Sequence, residues 1–426
     1  MNIPIPPGVF DILPQNAKDT WCSSYLWNYV EAIMRETARQ YGYQEIRTPM
    51  FERTELFQRG VGETSDIVSK EMYTFMDKGD RSMSLRPEGT APVIRSFIEN
   101  KLYNESSSNK LFYIAPMFRY ERAQAGRYRQ HHQFGAEAIG NGSPEQDVEL
   151  IDLLYTLYQR LGLKNLKLHI NSIGDTETRI TFRKALQDYL KGYFEQLSSD
   201  SKVRFDTNPL RILDSKDPKD KEIVEHAPSI LDFLSTEARD HFESVKRLLN
   251  SLKIPFSVNP KLVRGLDYYN RTVFEIVAGE LGAQNSIGGG GRYDGLIKML
   301  GGPELPSIGF GTGLERVIQT MIKQQVPLPK PYSPQLFIIA LGEESKEAGF
   351  LLVHELRSQG ICAEMDYSSR KLGKIMQIAH QMQSQYVLVL GENELHTQVV
   401  ELKKMETGEK IQLSLPELAH WFITNK

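Results

Sequence analysis

Cysteine is nearly absent from this chain: Cys22 and Cys362 are the only two in 426 residues, far apart and without a histidine or second cysteine beside either. That excludes a disulfide framework and a cysteine-based zinc site. Long apolar runs are missing too. The longest, "LFIIAL" and "YVLVL", fall far short of the ~20 residues a membrane span needs, and "MNIPIPPGVFDILP" has neither a basic nor an apolar stretch of the signal-peptide kind. A cytoplasmic protein with no membrane partner is expected. Positive charge is not in excess either: a net charge of −3 argues against gripping nucleic acid by bulk charge, so any phosphate-binding surface must be local.

What is present is length enough for two or three domains, with ordinary apolar content. Residues 17–41 carry Trp21, Tyr25, Leu26, Tyr29 and Ile33 at helical spacing, with Gly42 as a stop. Short β-prone runs follow: "YQEIRTPM", "MYTFMD", "SMSLR", "KLFYIAPMFRYER", "HHQFGAEAI", "TVFEIVAG" and "SIGFG". Clustered strands with few βαβ alternations predict an α+β domain on an antiparallel sheet over 1–325, interrupted by a helical insertion at 175–257. Four prolines within 324–334 mark a semi-rigid linker at 326–332. From 333 to 426 strands and helices alternate, predicting a small α/β domain. From residue 331 onward there are 9 Lys and Arg against 12 Asp and Glu, leaving 42 against 42 before it, so neither part is broadly basic.

Three constellations carry chemistry. In "SMSLRPEGTAPVIRSFIEN" a strand runs into a turn and a helix that Thr90 is placed to cap; Glu88 and Thr90 then either hold an ammonium group or merely serve the helix end. In "FYIAPMFRYERAQAGRYRQHHQFGAEAIG" two β-prone arms flank a tip rich in arginine: Arg119, Arg122, Arg127 and Arg129. This is either a phosphate-binding hairpin or a solvated sheet edge. Gln133 and Glu137, four apart on the second arm, share one face and need polar partners. In "PSIGFGTGLERVIQTMI" a strand, a glycine turn and a helix lead to Arg316; no Gly-Lys-Ser/Thr follows, so it is not a Walker A loop. The run "SIGGGGRYDGL" at 286–296 is open between a sharp β-turn and a surface for a planar base. "LVRGLDYYNRTVFEI" at 262–276 sets Arg264, Tyr268 and Tyr269 ahead of a buried strand, as a sheet-edge cap or as something chemical.

Together, in this order, these units resemble the class II aminoacyl-tRNA synthetases, whose second and third sequence motifs look like "MFRYER" and "GFGTGLERV". "LVRGLDYYNRTVFEI", "LRPEGT" and "GRYRQHHQFGAE" resemble the histidyl-tRNA synthetase family in particular, and the likeness runs from "PPGVFDILP" to the C-terminal domain.

The resemblance implies a class II catalytic domain with a C-terminal anticodon-binding domain, ATP with Mg2+ as substrate, L-histidine and tRNA(His) as partners, and a homodimer with Pro49 near its interface. It implies that Arg119 clamps the α-phosphate and carboxylate, Arg316 the γ-phosphate, and that Arg264 acts at the α-phosphate. Tyr269 and Glu137 then hold the two imidazole nitrogens, with Tyr268 lining that pocket; Glu88, Thr90 and Gln133 hold the amino end. Tyr128 or Phe134 stacks on adenine, while Arg122 and Gln124 meet the acceptor end of the tRNA, the helical insertion lying over the acceptor stem. Ala123 and Ala125 depart from the family's usual hairpin loop, where a proline and a basic residue are common. The alternative is a non-catalytic, histidine-sensing regulatory paralogue of ATP phosphoribosyltransferase; the three arginines and the C-terminal domain speak against it.

Overall fold

The computed structural model describes residues 3–14, 17–62, 65, 67–121, 127–279, 286–368 and 370–425, which form two compact units, Met1–Pro329 and Lys330–Lys426. The strands of the first unit are β1 (Gln44–Glu45), β2 (Phe51–Arg53), β3 (Thr74–Met76), β4 (Ser82–Leu85), β5 (Asn109–Phe118), β6 (Gln130–Ile139), β7 (Leu166–Ser172), β8 (Phe256–Val258), β9 (Asn270–Ala278), β10 (Ser286–Arg292) and β11 (Ser307–Gly313). Its helices are α1 (Ser24–Gln40), α2 (Thr54–Val61), α3 (Thr90–Glu99), α4 (Pro144–Arg160), α5 (Thr176–Lys191), α6 (Ser199–Thr207), α7 (Pro218–Glu225), α8 (Thr236–Ser251), α9 (Leu296–Met299) and α10 (Leu314–Lys323).

One sheet has the order β1-β5-β6-β11-β10-β9-β7-β8, and β2-β4-β3 form a small second sheet. From β5 across to β7 every pairing is antiparallel, as the sequence reading expects; the short edge strands β1 and β8 lie parallel to β5 and β7. Alternation decides what each strand offers. In β6, Phe134, Ala136 and Ala138 enter a core built with Leu26, Val30 and Met34 of α1, Leu154 of α4 and Val317 of α10. Gln133, Gly135 and Glu137 therefore take the other face. Only Gln44 and Glu45 of "YQEIRTPM" pair as strand, with the Ile46 N–H adding one further bond to Phe112 O.

The run at 286–296 is not a sharp turn: Ser286–Arg292 form a central strand, β10, paired on both sides, with Gly288 and Gly289 facing a cavity. Four consecutive glycines carry no strand propensity, yet a Cβ at Gly290 would run into the Gly309 carbonyl, so only glycine lets the neighbours approach. At the end of β10, Arg292 is fully buried, its Nε 2.7 Å from Asp147 of α4, while His241 of α8 meets the other Asp147 oxygen at 2.7 Å. This paired network ties three elements behind the sheet.

The helical stretch between β7 and β8 belongs to two cores. Phe242, Val245 and Leu249 of α8 join the core behind the sheet. Phe182, Leu186 and Leu190 of α5 share a second core with Leu262, Tyr268 and Tyr269.

In the second unit β12 (Leu336–Ala340), β13 (Ala363–Met365) and β14 (Tyr386–Leu390) run parallel, and β15 (Val399–Lys404) and β16 (Lys410–Ser414) extend the sheet antiparallel. Leu336 and Ile338 face one core and Phe337 and Ile339 the other, so both faces are covered. Among the described residues no helix is long and apolar enough to cross a membrane.

Candidate active site

The turn after β4 folds around a carboxylate. Glu88 accepts from the backbone N–H groups of Thr90 at 2.7 Å and Ala91 at 2.8 Å, so it is Glu88 that caps α3. Thr90, expected as the cap, is instead the first helical residue, and its hydroxyl donates to Glu137 Oε1 at 2.8 Å. The Tyr293 hydroxyl donates to Glu137 Oε2 at 2.5 Å. Burial pushes the Glu137 carboxyl up to about 8, against the pull of the Tyr293 and Thr90 hydrogen bonds, and nearby Glu88 adds to the rise. Glu88 is raised by burial as well, with its two backbone donors opposing.

Space for these groups comes from missing side chains. A Cβ at Gly309 would strike the Glu137 carboxylate, and one at Gly311 the Gln133 amide. The Tyr113 ring fills the slot left by Gly89 and by Gly135, its partner across the β5–β6 ladder, and its hydroxyl accepts from Gln133 Nε2 at 3.3 Å.

Three guanidinium groups converge from three elements. Arg119, just past β5, donates through Nε to the Pro87 carbonyl at 2.7 Å. Its own backbone N–H donates to Arg129 O at 2.9 Å, and Arg129 N–H donates to Gly8 O at 2.7 Å, so the N-terminal segment buttresses this end of the hairpin. Phe10 adds an edge contact to Tyr128 with ring centroids 4.9 Å apart. Arg316, in the first turn of α10, donates to Ser286 O at 2.9 Å; burial works against its charge, and Arg127 and Arg119 add repulsion. Arg264 lies above Gly289, with Nη1 3.5 Å from Glu275 Oε1, and its buried Nε has no hydrogen-bond partner. His131 is held neutral: withdrawal from water, then the charges of Arg119, His132 and Arg316, bring its pKa down to about 3.

Arg119, Arg264, Arg316, Glu88, Thr90, Gln133, Tyr128, His131, Tyr268 and Tyr269 line a single cavity. One end presents convergent cations suited to a polyphosphate; the other presents a carboxylate, an amide and phenols suited to a small polar molecule with an amino group. Among the described residues no group of three or more His, Cys, Asp or Glu is gathered to hold a metal ion.

A family model described as histidyl-tRNA synthetase matches residues 8–317, and one described as anticodon binding domain matches 335–425. The histidine–tRNA ligase of Protochlamydia amoebophila is 70% identical over 419 residues, covering 98% of this chain and 99% of its own length. That of a Geobacillus species is 50% identical, with 97% of each covered. The apo crystal structure of S. aureus histidyl-tRNA synthetase superposes with a TM-score of 0.84 at 38% identity, over 99% of this chain and 100% of that one. The chain belongs to the histidyl-tRNA synthetase family.

For this histidyl-tRNA synthetase family member, ten of the residues singled out in sequence meet at one cavity: Glu88, Thr90, Arg119, Arg127, Tyr128, Gln133, Arg264, Tyr268, Tyr269 and Arg316. Arg129, Phe134 and Glu137 do not line it. Phe134, considered for adenine stacking, is fully buried in the core between Phe112 and Phe310, because strand alternation turns it away from Gln133. Glu137 lies behind the cavity wall, both oxygens already accepting hydrogen bonds, rather than at its surface. Arg122 and Gln124, with Ala123 and Ala125, lie outside the described residues.

Sequence reasoning missed His131, Tyr113, Tyr293 and Glu315. His131 sits two residues before Gln133, and period-two spacing alone would have put it on the same face. Glu315 accepts from the His132 N–H at 2.7 Å and meets His132 Nδ1 at 3.0 Å, which fastens the start of α10, and with it Arg316, to β6. Tyr113 and Tyr293 gave no local signal, since each matters through a partner distant in sequence.

Proposed function

We propose that this chain activates L-histidine with ATP and transfers the histidyl group to the 3′ end of tRNA(His). The convergence of Arg119, Arg264 and Arg316 on a cavity that also holds Glu88 and Gln133 is the observation that carries the reading. A histidine carboxylate oxygen attacks the α-phosphorus, the bond to the bridging oxygen breaks, and diphosphate leaves with the electron pair. A terminal ribose hydroxyl of the tRNA then attacks the acyl carbon, AMP departs, and the hydroxyl proton passes to its phosphate or to water. Negative charge grows on phosphate oxygens in the first step, so fixed guanidinium groups supply the stabilisation.

In this reading Arg119 clamps the α-phosphate and carboxylate, Arg264 the α-phosphate and Arg316 the γ-phosphate. Glu88, Thr90 and Gln133 hold the amino end; Tyr268 and Tyr269 line the imidazole pocket. Glu137 reaches the imidazole once Thr90 or Tyr293 shares its oxygen, which makes Tyr293 part of the same pocket. A site that satisfies both ring nitrogens rejects an isostere by stranding buried polar groups at ~1–3 kcal/mol each. The ring for adenine is His131 or Tyr128, both at the cavity. Mg2+ would neutralise the triphosphate, and Glu121 and Glu315, which line the cavity together with Glu88, are the carboxylates that would hold it.

Residues 1–325 form the catalytic domain with 175–257 over the acceptor stem, 326–332 the linker and 333–426 the anticodon-binding domain; Arg122 and Gln124 meet the acceptor end. The last domain is net acidic, so its RNA contact rests on hydrogen bonds and stacking. A cytoplasmic homodimer fits the exposed apolar group Met50, Phe51, Phe75 and Met76 next to Pro49. Charging of tRNA(His) with labelled histidine in the presence of MgATP tests the whole. Removing 330–426 should weaken charging far more than ATP–diphosphate exchange; equal losses would contradict a separate anticodon domain.

A further inference from the structure

Residues 262–269, which carry Arg264 and both tyrosines, form no helix or strand, so their backbone groups must find partners elsewhere. Two of those partners, and a third residue that holds a loop side chain, come from the helical stretch between β7 and β8. Arg211 Nη1 donates to the Arg264 carbonyl at 3.2 Å, Arg179 Nη1 donates to the Tyr269 carbonyl at 3.2 Å, and Asn208 Nδ2 donates to Asp267 Oδ1 at 2.7 Å. The stretch itself is firmly seated there. Arg211 belongs to a 3-10 turn, Pro209–Ile212, which Asn208 precedes and whose Ile212 is fully buried in the core shared with Leu262, Tyr268 and Tyr269. Contact is close: a Cβ on Gly265 would lie 3.1 Å from Arg211 Nη1, which would have to give way slightly.

We propose that Arg211, with Asn208 and Arg179, positions the loop so that the Arg264 guanidinium stands over Gly289 at the phosphate end of the cavity. These are positioning residues: among the described residues none of the three lines the cavity, and each acts on the loop from behind. The proposal rests on the adenylation reading for its kinetic consequence, while the geometric part stands apart from it. Because Arg211 holds the Arg264 main chain, its loss moves a charge that counts in the transition state more than in substrate binding.

The test uses the full-length enzyme in ATP–diphosphate exchange with histidine, together with amide hydrogen exchange of residues 262–269. Arg211→Ala should lower kcat by about tenfold or more while moving the KM for histidine far less. Arg211→Lys should recover most of the loss, since a single donor to a carbonyl suffices. In an Arg264→Ala background, Arg211→Ala should cost no more than about twofold further, because its effect runs through the missing group. The amides of 262–269 should lose protection in Arg211→Ala whatever the activity. Unchanged protection, a kcat within about twofold of wild type, or a loss that multiplies with Arg264→Ala would overturn the proposal. If Arg211→Ala does not fold, Asn208→Ala meets the same criteria. Absence of wild-type exchange with histidine counts against the adenylation reading alone, and the amide measurement still decides the positioning role.

Discussion

Strands β6 and β10 flank β11 on either side, and they build the site in opposite ways. β6 contributes groups: His131 and Gln133 at the cavity, Glu137 behind it. β10 contributes room. Its glycines leave places that other elements fill, the Arg264 guanidinium above Gly289, the Tyr158 hydroxyl against Gly288 and the Tyr269 ring against Gly291. Chemistry on one side of β11 is written as side chains and on the other as their absence, so a residue-by-residue reading sees the first and overlooks the second.

Substitutions can break this contrast. The largest effect is expected at the guest rather than at the strand: Arg264→Ala should cut adenylate formation by about 10²–10³-fold while histidine still binds, read in single-turnover assays. Activation within a few-fold of wild type would remove Arg264 from its assigned role. Next, Asp147→Ala removes one of the two carboxylates paired with the fully buried Arg292, leaving Asp294 at 3.0 Å, and should destabilise the catalytic unit by ~2–3 kcal/mol in denaturant unfolding. A much smaller loss would mean that the glycine strand holds its place without this anchor.

Gly289→Ala tests the room itself. Its Cβ would fall 2.5 Å from the Phe274 carbonyl and 2.9 Å from Arg264 Nη1, so one or both must shift. We expect stability to fall by ~1–3 kcal/mol and kcat to fall more than the KM for histidine rises; an unaltered kcat would show that the guanidinium does not depend on that gap. On the β6 side the readout is a pH slope rather than a rate, from Glu137→Gln. Glu137 titrates near 8 in the folded chain, above the ordinary carboxyl range, so the native state retains a proton that the unfolded chain has already lost. Stability should therefore fall as pH rises from about 4.3 toward about 8 and then level off. The Gln variant should flatten that slope in melting temperatures measured across the range. An identical slope would place the titration elsewhere.

The same contrast explains what was legible in the sequence. Alternation exposed Gln133 and Glu137 on one face, and strand-turn-helix punctuation exposed the Glu88 turn and Arg316, because those signals are local in the chain. Phe134 was misassigned for want of the same period-two test that placed its neighbours. β10 was illegible because its identity comes from the backbones of β9 and β11, which only the fold brings near. Glu137 was placed on the right face but at the wrong depth, since Tyr293, the residue that encloses it, lies 156 positions away. Thr90 failed as a cap because Glu88 takes the first helical N–H groups, Pro92 offers none, and the Thr90 hydroxyl is turned to Glu137.

The most direct test is ATP–diphosphate exchange by the purified full-length chain with each of the twenty amino acids, without tRNA. Exchange with histidine alone is the expected result, and it would support both the arginine-lined phosphate site and the pocket around Glu137 and Tyr269. No exchange, with histidine still binding by calorimetry, would contradict the catalytic reading and favour a histidine-sensing regulatory role for the same cavity.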